Sequence, residues 1–325
     1  MQKFPASSST LLLYISILCG IAIRFFYLFQ RDFWFDESFT YHIAKLPITQ
    51  IIPAVLTDNN PPLYYLGMHF IVNISNSAVL LRLLSLLFNF GSMIFLYKIV
   101  YSRAGQRAAL YTISFFALSP LTIYLGFTAR LHTAALFFIP LLVWLFLRLQ
   151  ENPQTIRIIL FIIFAILGLY TQYYVALLFF PFSILVIYPS SRLTIKSWLS
   201  IVLIICASFI PWLGAAAKNP HAICACPPAY LALPATLAAS TLGGIGEVTL
   251  RRFGELPIII LIFFTFVTGF NLFLFWKGTH KDRVLTYLYV IPLMLISIAG
   301  SLGPFFTPKG FAAYSPFFFA LPAIG

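Results

Sequence analysis

In the segment Phe33-Trp34-Phe35-Asp36-Glu37 two carboxylates follow three aromatic residues, and aromatic rings gather where a membrane meets water. A carboxylate held where an apolar wall meets water can take a proton from a substrate hydroxyl, an effect worth about 10²–10⁴ in rate. Asp36 and Glu37 are therefore candidate catalytic groups. Both also have a purely local use, Asp36 as the N-cap of a short helix and Glu37 as a complement to its dipole. Arg130 lies beyond a Ser119-Pro120 stop and opens the next apolar run. Its planar guanidinium suits bidentate binding of phosphate, with snorkelling at an interface as the alternative. Arg82 and Lys309 sit at helix ends on the same side as Arg130. There they would add positive charge where a phosphate leaving group becomes negative.

His42 and His132 are candidate ligands or proton carriers, or else hydrogen-bonded spectators. Tyr64, Tyr65, Tyr170, Tyr173 and Tyr174 read as interface aromatics able to line a sugar or isoprenoid groove. Asp58-Asn59-Asn60 before Pro61 is explained by turn chemistry. Cys19 and Cys206 lie in apolar runs and pack as small residues. His221, Cys224 and Cys226 have the spacing of part of a metal site but lack a fourth ligand, so no metal site is assigned.

The elements that must position these groups are membrane helices. Of 325 residues 61% are hydrophobic and 9% charged, against about 25% charged in soluble domains. One polytopic all-α membrane domain is the economical reading, and disorder, collagen and coiled coil are excluded. The net charge of +12 is scattered between apolar runs and forms no stripe of the kind nucleic acid needs. Runs near the roughly 20 residues that a crossing requires cover 11–29, 79–97, 108–125, 132–148, 197–213, 256–276 and 284–303. The first has no small-residue cleavage site after it and reads as an uncleaved anchor. Ile158 to Tyr188 divides at Tyr170-Thr171-Gln172 into two short crossings, and a last run, 310–325, brings the total to about ten helices. That run stops so abruptly at Gly325 that the chain reads as truncated or unusually short. The domain thus comprises a catalytic module, 1–213, with an outer loop at 30–78; a second outer loop, 214–255; and C-terminal helices, 256–325.

Lysine and arginine in short loops mark the cytoplasmic side of a plasma membrane. Those loops hold Lys3; Lys98, Arg103 and Arg107; Arg148 and Arg157; Arg192 and Lys196; and Lys277, Lys281 and Arg283. An even number of crossings must separate Lys3 from Lys98. Leu63 to Ile74, about 18 Å long as a helix against a hydrocarbon core of about 30 Å, should therefore lie on the membrane. Phe35, Phe39, Ile43 and Leu46, then Ile48, Ile51, Ile52, Val55 and Leu56, recur at spacings of three and four and predict two more interfacial helices, parted by Pro47. Six of the eight acidic residues then face the exterior, together with Arg130 and the tyrosines. Arg24 and Arg82 are basic residues that orientation does not require.

The order WFDESFTYHIAKL, TDNNPPLYYLGMHF, LRLLSLLFNF, LSPLTIYLGFTARLH, LYTQYYVALL resembles the bacterial family-39-like glycosyltransferases of the GT-C class, relatives of the protein O-mannosyltransferases and of the lipid A aminoarabinose transferase. The resemblance covers residues 11–190 and runs more loosely beyond. It implies transfer of a sugar from a polyprenyl-phosphate donor to an envelope lipid, glycan or protein on the extracytoplasmic side, with inversion. By this resemblance Asp36 matches the family's first-loop aspartate and would be the catalytic base or an acceptor-orienting carboxylate, with Glu37 beside it. Arg130 matches the arginine on the donor phosphate, and Lys309 is the nearest match to a late basic residue with the same role. Three positions depart from the pattern: Thr128 stands where relatives have a second acid, and Gln172 and Asn60 stand where they have histidines. Asn60 and Gln172 thereby join His42, His132, Tyr64, Tyr65 and Tyr173 as groove candidates. The missing acid weakens the case for a bound divalent metal, so the expected co-substrate is the polyprenyl-phosphate sugar with no firm cofactor. A transporter or flippase for a lipid-linked sugar, or a non-catalytic protein binding one, would share this composition. Transporters carry their binding groups near mid-membrane on broken helices, whereas the polar groups here gather at the outer face, which favours the enzyme.

Overall fold

The computed structural model describes residues 8–29, 33–57, 60–188, 191–218, 284–285, 287–295, 312–317 and 320. These are helical with no strand among them. Among the described residues four helices are long and apolar enough to cross a bilayer: α1 (Ser8–Phe29), α5 (Ala78–Leu118), α7 (Leu131–Glu151) and α10 (Ile195–Ala217). The expected crossing at 256–276, residues 296–303 of the run 284–303, most of 310–325, the loop with His221, Cys224 and Cys226, and Lys309 lie outside the described residues.

α5 is two crossings in one. Its 41 residues break at Gly105, whose φ of 84° is left-handed backbone that glycine adopts without steric cost. Asn89 before the break and Ala117 after it both bind the Arg24 guanidinium, so the chain doubles back at Gly105. The second arm ends at Leu118, short of the expected 125, because Ser119 turns to ψ 127° and Pro120 starts a separate short helix, α6 (Pro120–Gly126). Proline cannot donate to the preceding turn, which makes it a helix starter and not a continuer.

The segment between α1 and α5 folds as its periodicity predicts. α2 (Phe35–Ala44) and α3 (Ile48–Leu56) flank Pro47, and α4 (Leu63–Ile74) follows the Pro61-Pro62 turn with 12 residues, too few to cross. Each buries one face: Ile51 and Val55 on α3; Tyr64, Tyr65, Met68 and Val72 on α4. His69 of α4 donates from Nδ1 to the Ala44 carbonyl at 2.8 Å while Nε2 accepts from Asn73 at 3.1 Å, which ties α4 to the end of α2. Ile158 to Tyr188 likewise divides where expected, into α8 (Thr155–Leu169), a turn, a 3-10 segment Tyr173–Leu178 and α9 (Phe179–Val186).

Sequence also decides which helix is central. α1 exposes Leu11, Leu12, Leu18 and Phe26, as a lipid-facing helix should. α7 is apolar all round and buried along most of its length. It is packed by Phe146, which stacks on Phe182 at 4.0 Å, with Phe161 and Trp198 alongside. Lipid offers no hydrophobic drive between helices, so close contact depends on small residues. A side chain at Gly20 would fall on the Ala117 backbone, and one at Gly91 would meet the Phe137 ring at 2.6 Å.

Candidate functional site

α2 carries both candidate carboxylates, and the helix treats them differently. Its N-cap is Trp34, not Asp36, so the local capping use of Asp36 does not hold. Glu37, in the first turn, reaches back and accepts the Trp34 N–H at 3.0 Å, satisfying one of the orphan donors of a helix start. The same carboxylate accepts from Arg82 Nε at 2.9 Å and Nη2 at 2.8 Å, and from the Ala129 N–H at 2.9 Å. Four donors fill the roughly four lone-pair sites of a carboxylate. Both partners are nearly inaccessible, Glu37 at 0% and Arg82 at 1% exposure. Burial alone would raise the Glu37 pKa; the bonds from Arg82, Ala129 and Trp34, with the Arg82 charge, outweigh it and hold the group below the usual carboxylate range.

Two expectations are corrected by this geometry. Glu37 has four donors on its two oxygens, which leaves it no lone pair for a substrate proton. Arg82 does not present its fork to a donor phosphate; the fork is turned inward onto Glu37, with Nη1 also near the Leu28 carbonyl at 3.4 Å. What the pair positions is the loop between α6 and α7. Ala129 is held by Glu37, and Arg130 follows in extended backbone as the N-cap of α7.

Arg130 then returns to α2. Its Nη1 donates to the Asp36 carbonyl at 3.3 Å and to the Thr40 hydroxyl at 3.2 Å, and its guanidinium lies 5.9 Å from the Phe39 ring. Thr40, fully buried, donates in turn to the same Asp36 carbonyl at 3.1 Å. Asp36 and Arg130, 94 residues apart, are therefore neighbours, and both are half-buried. Asp36 sits about 100° round the helix from Glu37.

The remaining candidates divide. Tyr65 is fully buried and Tyr64 nearly so, its hydroxyl sharing a 3.4 Å bond with Ser85. Their burial fits neither an interface belt nor an open groove. Burial pushes the Tyr64 phenol above its ordinary range, against the lowering effects of Ser85 and the Arg130 charge, with Glu37 adding to the rise. His132, two residues past Arg130, meets Gln172 at 3.1 Å between Nδ1 and Nε2. Tyr173 accepts from the Trp212 indole at 2.8 Å. Half-buried Asn60 opens the Pro61-Pro62 turn, whose next residue, Leu63, donates its N–H to the Tyr170 carbonyl at 2.9 Å. His42 is exposed, edge-on to Tyr41, and six residues along α2 from Asp36 it faces another direction.

Sequence reasoning missed the group that fixes the wall of the site. Arg24 of α1 is fully buried and uses all five donors: Nε to Asn89 at 2.9 Å, Nη1 to the carbonyls of Gly20 at 2.8 Å and Ala117 at 2.6 Å, Nη2 to the Phe116 carbonyl at 3.2 Å and the Thr122 hydroxyl at 3.0 Å. Asn89 donates to the Thr122 carbonyl at 2.9 Å. The guanidinium thus joins α1, both arms of α5 and α6 without a carboxylate. The available signal was a charge and an amide inside apolar runs, which a membrane retains only with partners.

Thr128 spends its hydroxyl on the Tyr124 carbonyl at 2.6 Å. Among the described residues no three His, Cys, Asp or Glu side chains converge.

Comparison with known proteins agrees with this architecture. Residues 59–214 match the family described as dolichyl-phosphate-mannose-protein mannosyltransferase. The chain is similar to the crystal structure of ArnT from Cupriavidus metallidurans in the apo state, with a TM-score of 0.64 and 12% identity, over 98% of this chain and 60% of that one. It is similar also to the structure of that protein bound to undecaprenyl phosphate, with a TM-score of 0.65 at the same identity and coverage. The chain therefore spans about 60% of the length of the solved structures it matches. No curated protein sequence matches it. The fold is of the GT-C membrane type that the motif order resembles.

Proposed function

We propose that this chain is a GT-C glycosyltransferase that moves a sugar from a polyprenyl-phosphate donor to a hydroxyl of an envelope acceptor at the extracytoplasmic surface of the plasma membrane. The carrying observation is the contact of Arg130 Nη1 with the Asp36 carbonyl, which brings a carboxylate and a phosphate-binding cation to one spot beneath the interfacial helices. The family match and the undecaprenyl phosphate bound by the similar ArnT support a polyprenyl donor.

In this reading the donor tail stays in hydrocarbon and its phosphate lies at the surface by Arg130, with Lys309 as a further cation. The acceptor oxygen attacks the anomeric carbon from the side opposite the phosphate, so the centre inverts. Its proton passes to Asp36 as the bond to the phosphate oxygen breaks. The charge left on that phosphate is met by Arg130, whose fixed position avoids reorganisation during the step. Glu37 and Arg82 hold the frame, while His132 with Gln172, Tyr173 and Asn60 edge the groove. Exterior placement rests on the lysines and arginines of the opposite loops.

Asp36→Asn, assayed with a radiolabelled polyprenyl-phosphate sugar, should lose transfer by about 10²-fold or more while still binding the donor lipid. Unchanged transfer would remove Asp36 from the mechanism. Mass spectrometry of envelope glycans with and without the gene would identify the sugar.

A further inference from the structure

At the far end of α7 from Arg130 a second cluster forms that glycosyl transfer does not use. Phe95 and Lys98 lie one turn apart on α5, Trp144 and Arg148 one turn apart on α7. The Lys98 ammonium stands 5.2 Å from the Phe95 ring centre and 5.1 Å from that of Trp144, and the two rings are 5.5 Å apart. Arg148 lies 5.8 Å from the same indole. Arg157, near the start of α8, donates to the Arg148 and Asn152 carbonyls at 3.1 and 3.2 Å. Among the described residues three cations meet at this corner against one carboxylate, Glu151, 2.9 Å from Arg148.

Arg157 is accounted for, since it caps the negative end of α7. The Arg148–Glu151 pair is open to water, at 45% and 57% exposure, and is correspondingly weak. Lys98 is in no ion pair among the described residues. An ammonium on a flexible stem ordinarily swings away from a second cation into water. Here rings from two helices draw it onto the indole that Arg148 also covers. Residue 148 is about 27 Å along the helix from residue 130, so the corner sits at the opposite membrane surface, at headgroup depth. Leu83, Leu87 and Ile94 form an exposed apolar stripe on α5 that leads to Lys98. An acyl chain would follow that stripe, whereas a free anion would gain nothing from it.

We propose that Lys98 and Arg148, held on Trp144, bind the phosphodiester headgroup of an anionic membrane lipid, with an acyl chain along the Leu87–Ile94 stripe. Native mass spectrometry of the protein from phosphatidylcholine nanodiscs doped with phosphatidylglycerol tests this directly. Wild type should retain phosphatidylglycerol in preference to phosphatidylcholine. Lys98→Gln and Arg148→Gln should each weaken that preference about fivefold, and Arg107→Gln, an exposed cation elsewhere on α5, should leave it intact. Equal retention of the two lipids, no change in the Lys98 and Arg148 variants, or an equal loss in Arg107→Gln would each overturn the site. So would displacement of the lipid by millimolar inorganic phosphate, which would make it a free-anion site.

Discussion

Glu37→Gln keeps the shape of the side chain and isolates what its charge does. The carboxylate accepts four bonds, two on each oxygen. A glutamine retains one acceptor oxygen and turns an NH₂ toward the other two donors, so two bonds become clashes of like dipoles. Arg82, 1% exposed, then keeps a buried charge with no counter-ion. Breaking a buried pair on one side costs about 3–5 kcal/mol, or roughly two to four decades in the unfolding equilibrium. Arg82→Met leaves the carboxylate uncompensated and should cost a similar amount. The Glu37→Gln/Arg82→Met double variant removes both charges and should be less destabilised than the sum of the singles, a coupling of about 1–3 kcal/mol. Unfolding in mixed micelles titrated with SDS reads the cycle. Transfer should stay low in all three variants, because the Ala129 N–H loses its fixed acceptor and Arg130 its placement. Single variants within about 1 kcal/mol of wild type, strict additivity, or full transfer by the double variant would refute the positioning role.

The Glu37 pKa lies below its unfolded value, so its stabilisation is complete above about pH 4.3 and is lost as pH falls through the lowered folded value. Unfolding midpoints measured between pH 7 and 3 should decline in wild type, with this component of the slope gone in Glu37→Gln. Arg24→Lys offers three donors where five are used, and charged hydrogen bonds are worth about 1.5–3 kcal/mol each. It should destabilise by several kcal/mol in the same micelle titration despite conserving charge. Gly20→Leu must push α1 off the Ala117 backbone and should cost about 1–3 kcal/mol or more; a neutral result would mean α1 is free to shift. Thr40→Val removes the acceptor that holds Arg130 and the donor to the Asp36 carbonyl. It should raise the donor KM about tenfold with a smaller change in kcat, and Thr40→Ser should restore it; a fall in kcat alone would contradict this.

The short helices between α1 and α5 were legible because their signal is local. Spacings of three and four with a proline between them place α2 and α3, and a 12-residue length keeps α4 from crossing. The turn at Tyr170 to Gln172 was equally plain from polar residues inside an apolar run. The neighbourhood of Asp36 and Arg130 was legible in part, through residue types that suit a proton and a phosphate. The assignment of partners was not. Nothing in the spacing of Asp36 and Glu37 says which will turn inward, since that depends on Arg82, 45 residues away, and on a backbone N–H at Ala129. Periodicity is likewise blind to Arg24, because a helix pattern reports which face is apolar and not what a buried cation can reach across the bundle.

Arg24 also sets a timetable for synthesis. Apart from the carbonyl of Gly20, its acceptors lie 65 to 98 residues downstream, so at about 5–20 residues per second α1 is made on the order of 5–20 s before Thr122 exists. For that interval the first segment carries an uncompensated cation that bulk lipid disfavours. It must wait beside the insertion machinery, or ride high with its guanidinium among headgroups, until the hairpin at Gly105 arrives. Release of α1 into the bilayer is thus coupled to completion of the later helices, and the order of assembly is written into one side chain.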